Sequence, residues 1–191
     1  MKYLARTATG DPLLGGEDGY VRLDAVEPDL DSVRDALPRA ADGTLGDAAD
    51  APAEPVPAED ITFGAPLEQF GKLWGIGLNY EEHAGDLDEQ RPEEPASFVK
   101  PSTVPTGPGG PIRLPPESQS ERVTAEAELG VVMGRTCRNV DEADFGDVVA
   151  GFLPVIDMTA EDVLQRNPRF LTRAKSYDTF LVPGAALAVP E

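Results

Sequence analysis

Arg122–Gly134 reads Arg-Val-Thr-Ala-Glu-Ala-Glu-Leu-Gly-Val-Val-Met-Gly. Apolar residues alternate through Ala125, Ala127, Leu129, Val131 and Met133, the period-two signature of a β-strand. Glu126 and Glu128 then share the opposite face. Two neighbouring carboxylates repel each other, and each loses hydration in a half-buried strand. The pair is either a solvated polar face on an edge strand or one side of a cation site. A third acid bears on that choice. Asp157 ends the apolar run Gly151-Phe-Leu-Pro-Val-Ile-Asp, where solvation explains it poorly.

Glu126, Glu128 and Asp157 together form an all-oxygen donor set, the kind expected for a hard divalent ion such as Mg²⁺, Mn²⁺ or Ca²⁺. One histidine and one cysteine in the chain exclude a Cys/His zinc site. Three carboxylates leave positions open for a chelating 2-oxo acid, whose developing enolate charge the ion would stabilise. Lys175, in the apolar and aromatic run Leu171-Thr-Arg-Ala-Lys-Ser-Tyr-Asp-Thr-Phe, is placed to reinforce that stabilisation.

Upstream, Lys72-Leu-Trp-Gly-Ile-Gly-Leu-Asn-Tyr is apolar, with two glycines that let the backbone pass close to something. Asn79 suits the cap of a helix carrying His83, the only histidine, and Asp86 three residues on. The pair reads either as an oriented general base or as an exposed helix end. Gly85–Pro95 is acidic, holds two prolines and suits a lid. Ala96-Ser-Phe-Val-Lys-Pro is a short strand delivering Lys100, one of four lysines; it is a surface lysine or a site group.

The chain has 191 residues, enough for one domain with a real core or one domain plus an appendage. Lys2–Thr7 and Gly19–Val26 read as strands, and Asp29–Leu37 as a helix capped by Asp29 or Asp31 and stopped by Pro38. Ala40–Asp60 is rich in Ala, Asp, Pro and Gly and reads as a mobile linker or long surface loop. Residues 1–60 are therefore expected to form a small β-rich N-terminal domain plus linker, and residues 61–191 the catalytic domain. Strands are expected at Ile61–Leu67, Ile112–Leu114 and Leu181–Val189, and a short helix from Asp141. Thr159 is expected to cap a helix, with Asp162 as the capping-box acid.

Charge narrows the partners. Asp and Glu total 35 against 16 Lys and Arg, a net charge of −19. Such a field repels nucleic acid and anionic membranes, and suits a halophilic setting where salt screens it. Cys137 is the lone cysteine, so no intrachain disulfide forms, in keeping with a reducing cytoplasm. Met1–Arg6 has no apolar segment of the signal-peptide kind, and no run approaches the roughly 18 apolar residues of a membrane span.

The ordered runs Gly75-Ile-Gly-Leu-Asn-Tyr-Glu-Glu-His-Ala, Phe98-Val-Lys-Pro-Ser, Glu126-Ala-Glu-Leu-Gly-Val-Val-Met-Gly, Asp157-Met-Thr-Ala and Ala174-Lys-Ser-Tyr-Asp-Thr-Phe resemble the fumarylacetoacetate hydrolase family across about residues 70–187. The resemblance implies an α+β, β-dominated fold: a mixed β-roll, incomplete at its C-terminal side, with a small β-rich N-terminal domain. It implies a dimeric, divalent-metal-dependent enzyme acting on 2-oxo or diketo acids by C–C hydrolysis, or by isomerisation of 2-hydroxyhepta-2,4-diene-1,7-dioate type dienols. Glu126, Glu128 and Asp157 match metal ligands, Lys175 the active-site lysine and His83 the base. Lys100 and Tyr177 fall on the substrate side. The pattern departs in three places. Asp86 stands where many members carry Glu, and Glu161 and Leu164 replace an Arg and a Gln near substrate. A Thr-Gly-Thr-Pro-type motif, which lines the pocket in the family, does not occur. Asn167–Lys175 is similar to the 2-keto-3-deoxy sugar-acid dehydratase branch, an alternative activity. An inactive truncated fragment or assembly subunit is the non-catalytic alternative.

Overall fold

The computed structural model describes residues 1–77 and 94–190. His83, Asp86, the Asn79 cap and most of the expected lid lie outside them.

Short apolar runs divided by Gly-rich turns make a meander of β1 (Lys2–Arg6), β2 (Pro12–Gly15) and β3 (Tyr20–Arg22). Helix α1 (Val33–Ala41) buries Val33, Ala36, Leu37 and Ala40, one stripe at helical spacing. Its cap is Ser32 rather than Asp29 or Asp31, and Pro38 lies inside the helix. Asp29 is taken by Arg39, 2.6 Å away, while the Ser32 hydroxyl accepts the Asp35 N–H.

Ala40–Asp60, expected as a mobile linker or long surface loop, is mostly exposed but anchored to the core. Leu45 and Ala48 enter the core with Leu4 and Leu14. The carboxylate of buried Glu27 accepts the Gly46 N–H at 2.7 Å and pairs with Arg39. Val56 and Tyr20 exchange backbone hydrogen bonds of 2.8 and 2.9 Å. Few large side chains are needed to hold a segment whose backbone groups find such partners.

The apolar runs further on form β4 (Leu73–Gly77), β5 (Ala96–Lys100), β6 (Val123–Met133), β7 (Val149–Ala160), β8 (Leu181–Pro183) and β9 (Ala186–Val189). Two short helices, α2 (Glu161–Arg166) and α3 (Leu171–Ala174), lie between β7 and β8. Strands β4 and β5 pair as a two-stranded sheet. The other seven form one sheet in the order β3-β2-β1-β9-β7-β6, with β8 also on β7. All these named pairs are antiparallel, and the sheet is open. The architecture is sheet-dominated with few helices. β1 hydrogen-bonds to β9, so the sheet runs across the expected boundary near residue 60. Gly151 allows β9 to lie against β7, because a Cβ there would meet the Ala188 carbonyl oxygen at 2.3 Å.

Several expected elements differ. Ile61–Leu67 makes only a bridge from Phe63 to Thr7, and Ile112–Leu114 is not a strand. Glu142–Val148 is 3-10 rather than α-helical, and the last expected strand divides into β8 and β9 around Gly184. Helix α2 starts after Ala160 with no side-chain cap. Thr159 belongs to β7, and Asp162 instead accepts from the Ser120 hydroxyl.

In β6 the alternation holds, but its apolar side is the open one. Leu129 is 64% exposed and Val131 43%, while Glu126 and Glu128 lie on the half-buried face.

Candidate active site

Period-two geometry sets the site. In β7, Asp157 and Thr159 point to one side; in β6, Glu126 and Glu128 do. The antiparallel register places Glu126 opposite Asp157 and Glu128 opposite Val155. Cross-strand neighbours are within side-chain reach, so two carboxylates meet on one face of the sheet.

A lysine ammonium offsets their repulsion. Lys175 is the residue that closes α3, and its Nζ donates to Glu126 Oε2 at 2.8 Å, Asp157 Oδ2 at 2.9 Å and Thr159 Oγ1 at 2.8 Å. Its three N–H groups are matched by three acceptors. The ring of Phe98 lies 4.9 Å from the same ammonium, a cation–π distance. Phe98 can lie there because Gly75, opposite it in β4, has no side chain. A Cβ at Gly75 would stand 2.2 Å from the ring. Of the two glycines singled out in the sequence, Gly75 makes room for this ring and Gly77 does not.

Lys100 ends β5 beneath this cluster, with 3% of its side chain exposed. Its Nζ lies 2.6 Å from Asp157 Oδ1 and donates to the carbonyl oxygens of Lys175 at 2.5 Å and Phe180 at 2.8 Å. The Met158 carbonyl stands at 3.4 Å. Burial pushes the Lys100 ammonium below the ordinary lysine pKa, against the opposing pull of Asp157.

Asp157 Oδ1 is buried and, despite that charge contact, takes no aligned hydrogen bond. The Tyr177 hydroxyl is likewise buried with no hydrogen-bond partner among the described residues, and its ring packs on Phe180 at 5.2 Å. Glu161 pairs with Arg122 at 2.9 Å, at the entry to α2.

The residues present suit a hard cation in part. Glu126 and Asp157 are oxygen donors on one face, an ammonium already spans them, and one buried Asp157 oxygen has hydrogen-bonding capacity to spare. Among the described residues no three acidic, histidine or cysteine side chains stand together closely enough to hold an ion. Glu128 shares the half-buried face of Glu126 two residues along, opposite Val155.

Comparison with known proteins decides the lineage. Residues 72–191 match the family profile described as fumarylacetoacetate (FAA) hydrolase C-terminal. The chain belongs to the fumarylacetoacetate hydrolase family. Among curated members, 2,4-didehydro-3-deoxy-L-rhamnonate hydrolase of Sphingomonas sp. is 35% identical over 175 residues, covering 91% of this chain and 58% of its own. The human mitochondrial oxaloacetate tautomerase FAHD2A is 32% identical over 181 residues, covering 93% and 57%. A crystal structure of 5-carboxymethyl-2-hydroxymuconate delta-isomerase from Mycobacterium smegmatis superposes with a TM-score of 0.69 at 27% identity, covering 100% of this chain and 67% of that one. The chain thus spans somewhat over half the length of these two curated relatives.

Two members of the cluster escaped the sequence reading of this fumarylacetoacetate hydrolase family chain. Thr159 stands two residues from Asp157 in the same strand, and strand periodicity would have found it. Phe98 stands two residues before Lys100 in β5, again on one face. No helix among the described residues is long and apolar enough to cross a membrane.

Proposed function

We propose that this chain carries the divalent-metal-dependent active site of a fumarylacetoacetate hydrolase family enzyme acting on 2-oxo or diketo acids. The reaction is hydrolysis of a C–C bond or isomerisation of a 2-hydroxyhepta-2,4-diene-1,7-dioate type dienol. The observation that carries this reading is the buried Lys175 ammonium, aimed by Glu126, Asp157 and Thr159. Glu126, Asp157 and Glu128 are the residues proposed to hold Mg²⁺, Mn²⁺ or Ca²⁺. The ion, when bound, supplies Lewis-acid polarisation of the substrate's adjacent oxygens.

With its three N–H groups held by Glu126, Asp157 and Thr159, Lys175 acts on the substrate through its positive charge, set beside the oxygen on which enolate charge grows. Thr159 accepts from Lys175 and keeps it aimed. The Tyr177 hydroxyl donates to the substrate carboxylate. His83, oriented by Asp86, moves the proton. In hydrolysis it takes one from the attacking water, whose hydroxyl joins the acyl carbon as the C–C bond breaks. The departing carbon receives a proton in turn. The proposed acting form is a cytoplasmic homodimer, whose mass light scattering measures.

The test is a turnover assay with acylpyruvates, oxaloacetate and dienedioate-type substrates, with Mg²⁺ or Mn²⁺ and with chelator. Metal-dependent turnover of one class is expected; none with any of them sinks the reading. A second reading, dehydration of a 2-keto-3-deoxy sugar acid, is favoured by Asn167–Lys175 and by the sugar-acid name of the Sphingomonas relative. Activity retained in His83→Ala would select it. Absence of all turnover would leave the chain as an inactive piece or an assembly subunit.

A further inference from the structure

Lys100 is as deeply buried as any charged group described, and its polar capacity is spent. An ammonium has three N–H donors and no acceptor. Four oxygens already surround this one within 3.4 Å: Asp157 Oδ1 and the carbonyls of Lys175, Phe180 and Met158. With 3% of the side chain exposed, no N–H is left over for a ligand.

The partners themselves are informative. Asp157 offers Oδ1 to Lys100 and Oδ2 to Lys175, so the two lysines hold its carboxylate from both ends. The Lys175 carbonyl is held by the same Lys100 ammonium whose neighbour Asp157 holds the Lys175 side chain. The Phe180 carbonyl also accepts the Met158 N–H at 3.1 Å, which ties the segment after α3 to β7 beside Asp157. One side chain from β5 thus anchors both the backbone and the acid partner of Lys175.

We infer that Lys100 is a positioning residue, not a substrate ligand: it fixes the Asp157 carboxylate and the Lys175 backbone so that the Lys175 ammonium reaches Glu126, Asp157 and Thr159. A catalytic role for Lys175 rests on the function proposed above; the anchoring itself does not.

The experiment is reductive methylation of the native chain read by mass spectrometry at each lysine, in wild type, Lys100→Met and Lys100→Arg, with folding checked by circular dichroism. In wild type, exposed Lys72 is expected to react at least about tenfold faster than Lys100, and addition of oxalate with Mg²⁺ leaves Lys100 unchanged. In Lys100→Met, Lys175 becomes reactive by about tenfold while Lys72 does not change, and Lys100→Arg falls between. Lys100 reacting on the Lys72 timescale and slowed by oxalate would overturn the inference, as would Lys175 reactivity unchanged in the folded variants. If Lys100→Met does not fold, Lys100→Arg and the wild-type arm still decide. Where turnover is found, Lys100→Arg is expected to lower kcat by about tenfold with KM within about threefold. A raised KM with kcat intact would overturn it. The labelling needs no turnover, so failure of the proposed activity and failure of this anchoring are read separately.

Discussion

Glu126 and Asp157 face each other across β6 and β7, and a single ammonium, that of Lys175, stands 2.8 Å from one and 2.9 Å from the other. Like charges directly opposite in a sheet are destabilising. Here the opposition is bridged, and the bridge comes from a segment outside the two strands.

Removing the bridge tests its weight. Breaking a buried ion pair by deleting one partner costs about 3–5 kcal/mol. Lys175→Met is therefore expected to lower the unfolding free energy, read by urea titration, by an amount of that order. Added Mn²⁺ is expected to restore more stability to this variant than to wild type, since Glu126 would then lack the Lys175 ammonium and Asp157 would keep only that of Lys100. Equal metal effects on both proteins would count against a cation site at these acids.

Thr159→Val deletes the third acceptor of the Lys175 ammonium while keeping the shape. Hydrogen bonds to charged groups contribute about 1.5–3 kcal/mol. A loss in that range by chemical denaturation is expected, with Thr159→Ser close to wild type.

Gly75→Val drives a side chain into the Phe98 ring, which a Cβ would already meet at 2.2 Å. Overpacking of this kind costs about 1–3 kcal/mol, and displaces the ring from Lys175. Gly77→Val is the control, since the nearest atom to its Cβ is 4.0 Å away. Emission from the neighbouring Trp74, the sole tryptophan, is expected to change in the first variant and not in the second.

Acid sensitivity has an address at Asp162. The Ser120 hydroxyl at 2.5 Å, with help from the Glu121 N–H and Arg166, holds its carboxyl below the usual 3.8. The unfolded chain then takes the proton first as pH falls. The stabilisation is complete above 3.8 and is lost as pH falls through the folded-state value. Asp162→Asn is expected to flatten the decline of stability below about pH 4, measured by denaturant titration at stepped pH.

The −19 charge predicts a rise in thermal midpoint with added NaCl, because screening relieves self-repulsion. A midpoint unmoved by salt would remove the reason for a halophilic reading.

Much of the site was legible because β6 and β7 carry clean signals. The Glu-x-Glu alternation and the apolar run ending at Asp157 define two strands, and period two assigns their faces. Other parts carry no local signal. The partners of Lys100 include three backbone carbonyls, which every residue type possesses. Thr159 precedes an acidic helix start and so fits a cap as well as a strand end. The choice is made by Lys175, arriving 16 residues later. Ala40–Asp60 lacks large apolar residues, yet Leu45, Ala48 and the Glu27 carboxylate suffice to hold it. His83 and Asp86 lie outside the described residues.

The β1–β9 pairing joins Lys2 to Val189. During synthesis β1 must therefore wait, one edge unpaired, until the chain as far as Val189 has left the ribosome. Distant strand pairings form slowly, because the closure entropy must be met before the contacts reward it. A nascent chain of this protein is thus expected to depend on chaperones until β9 emerges.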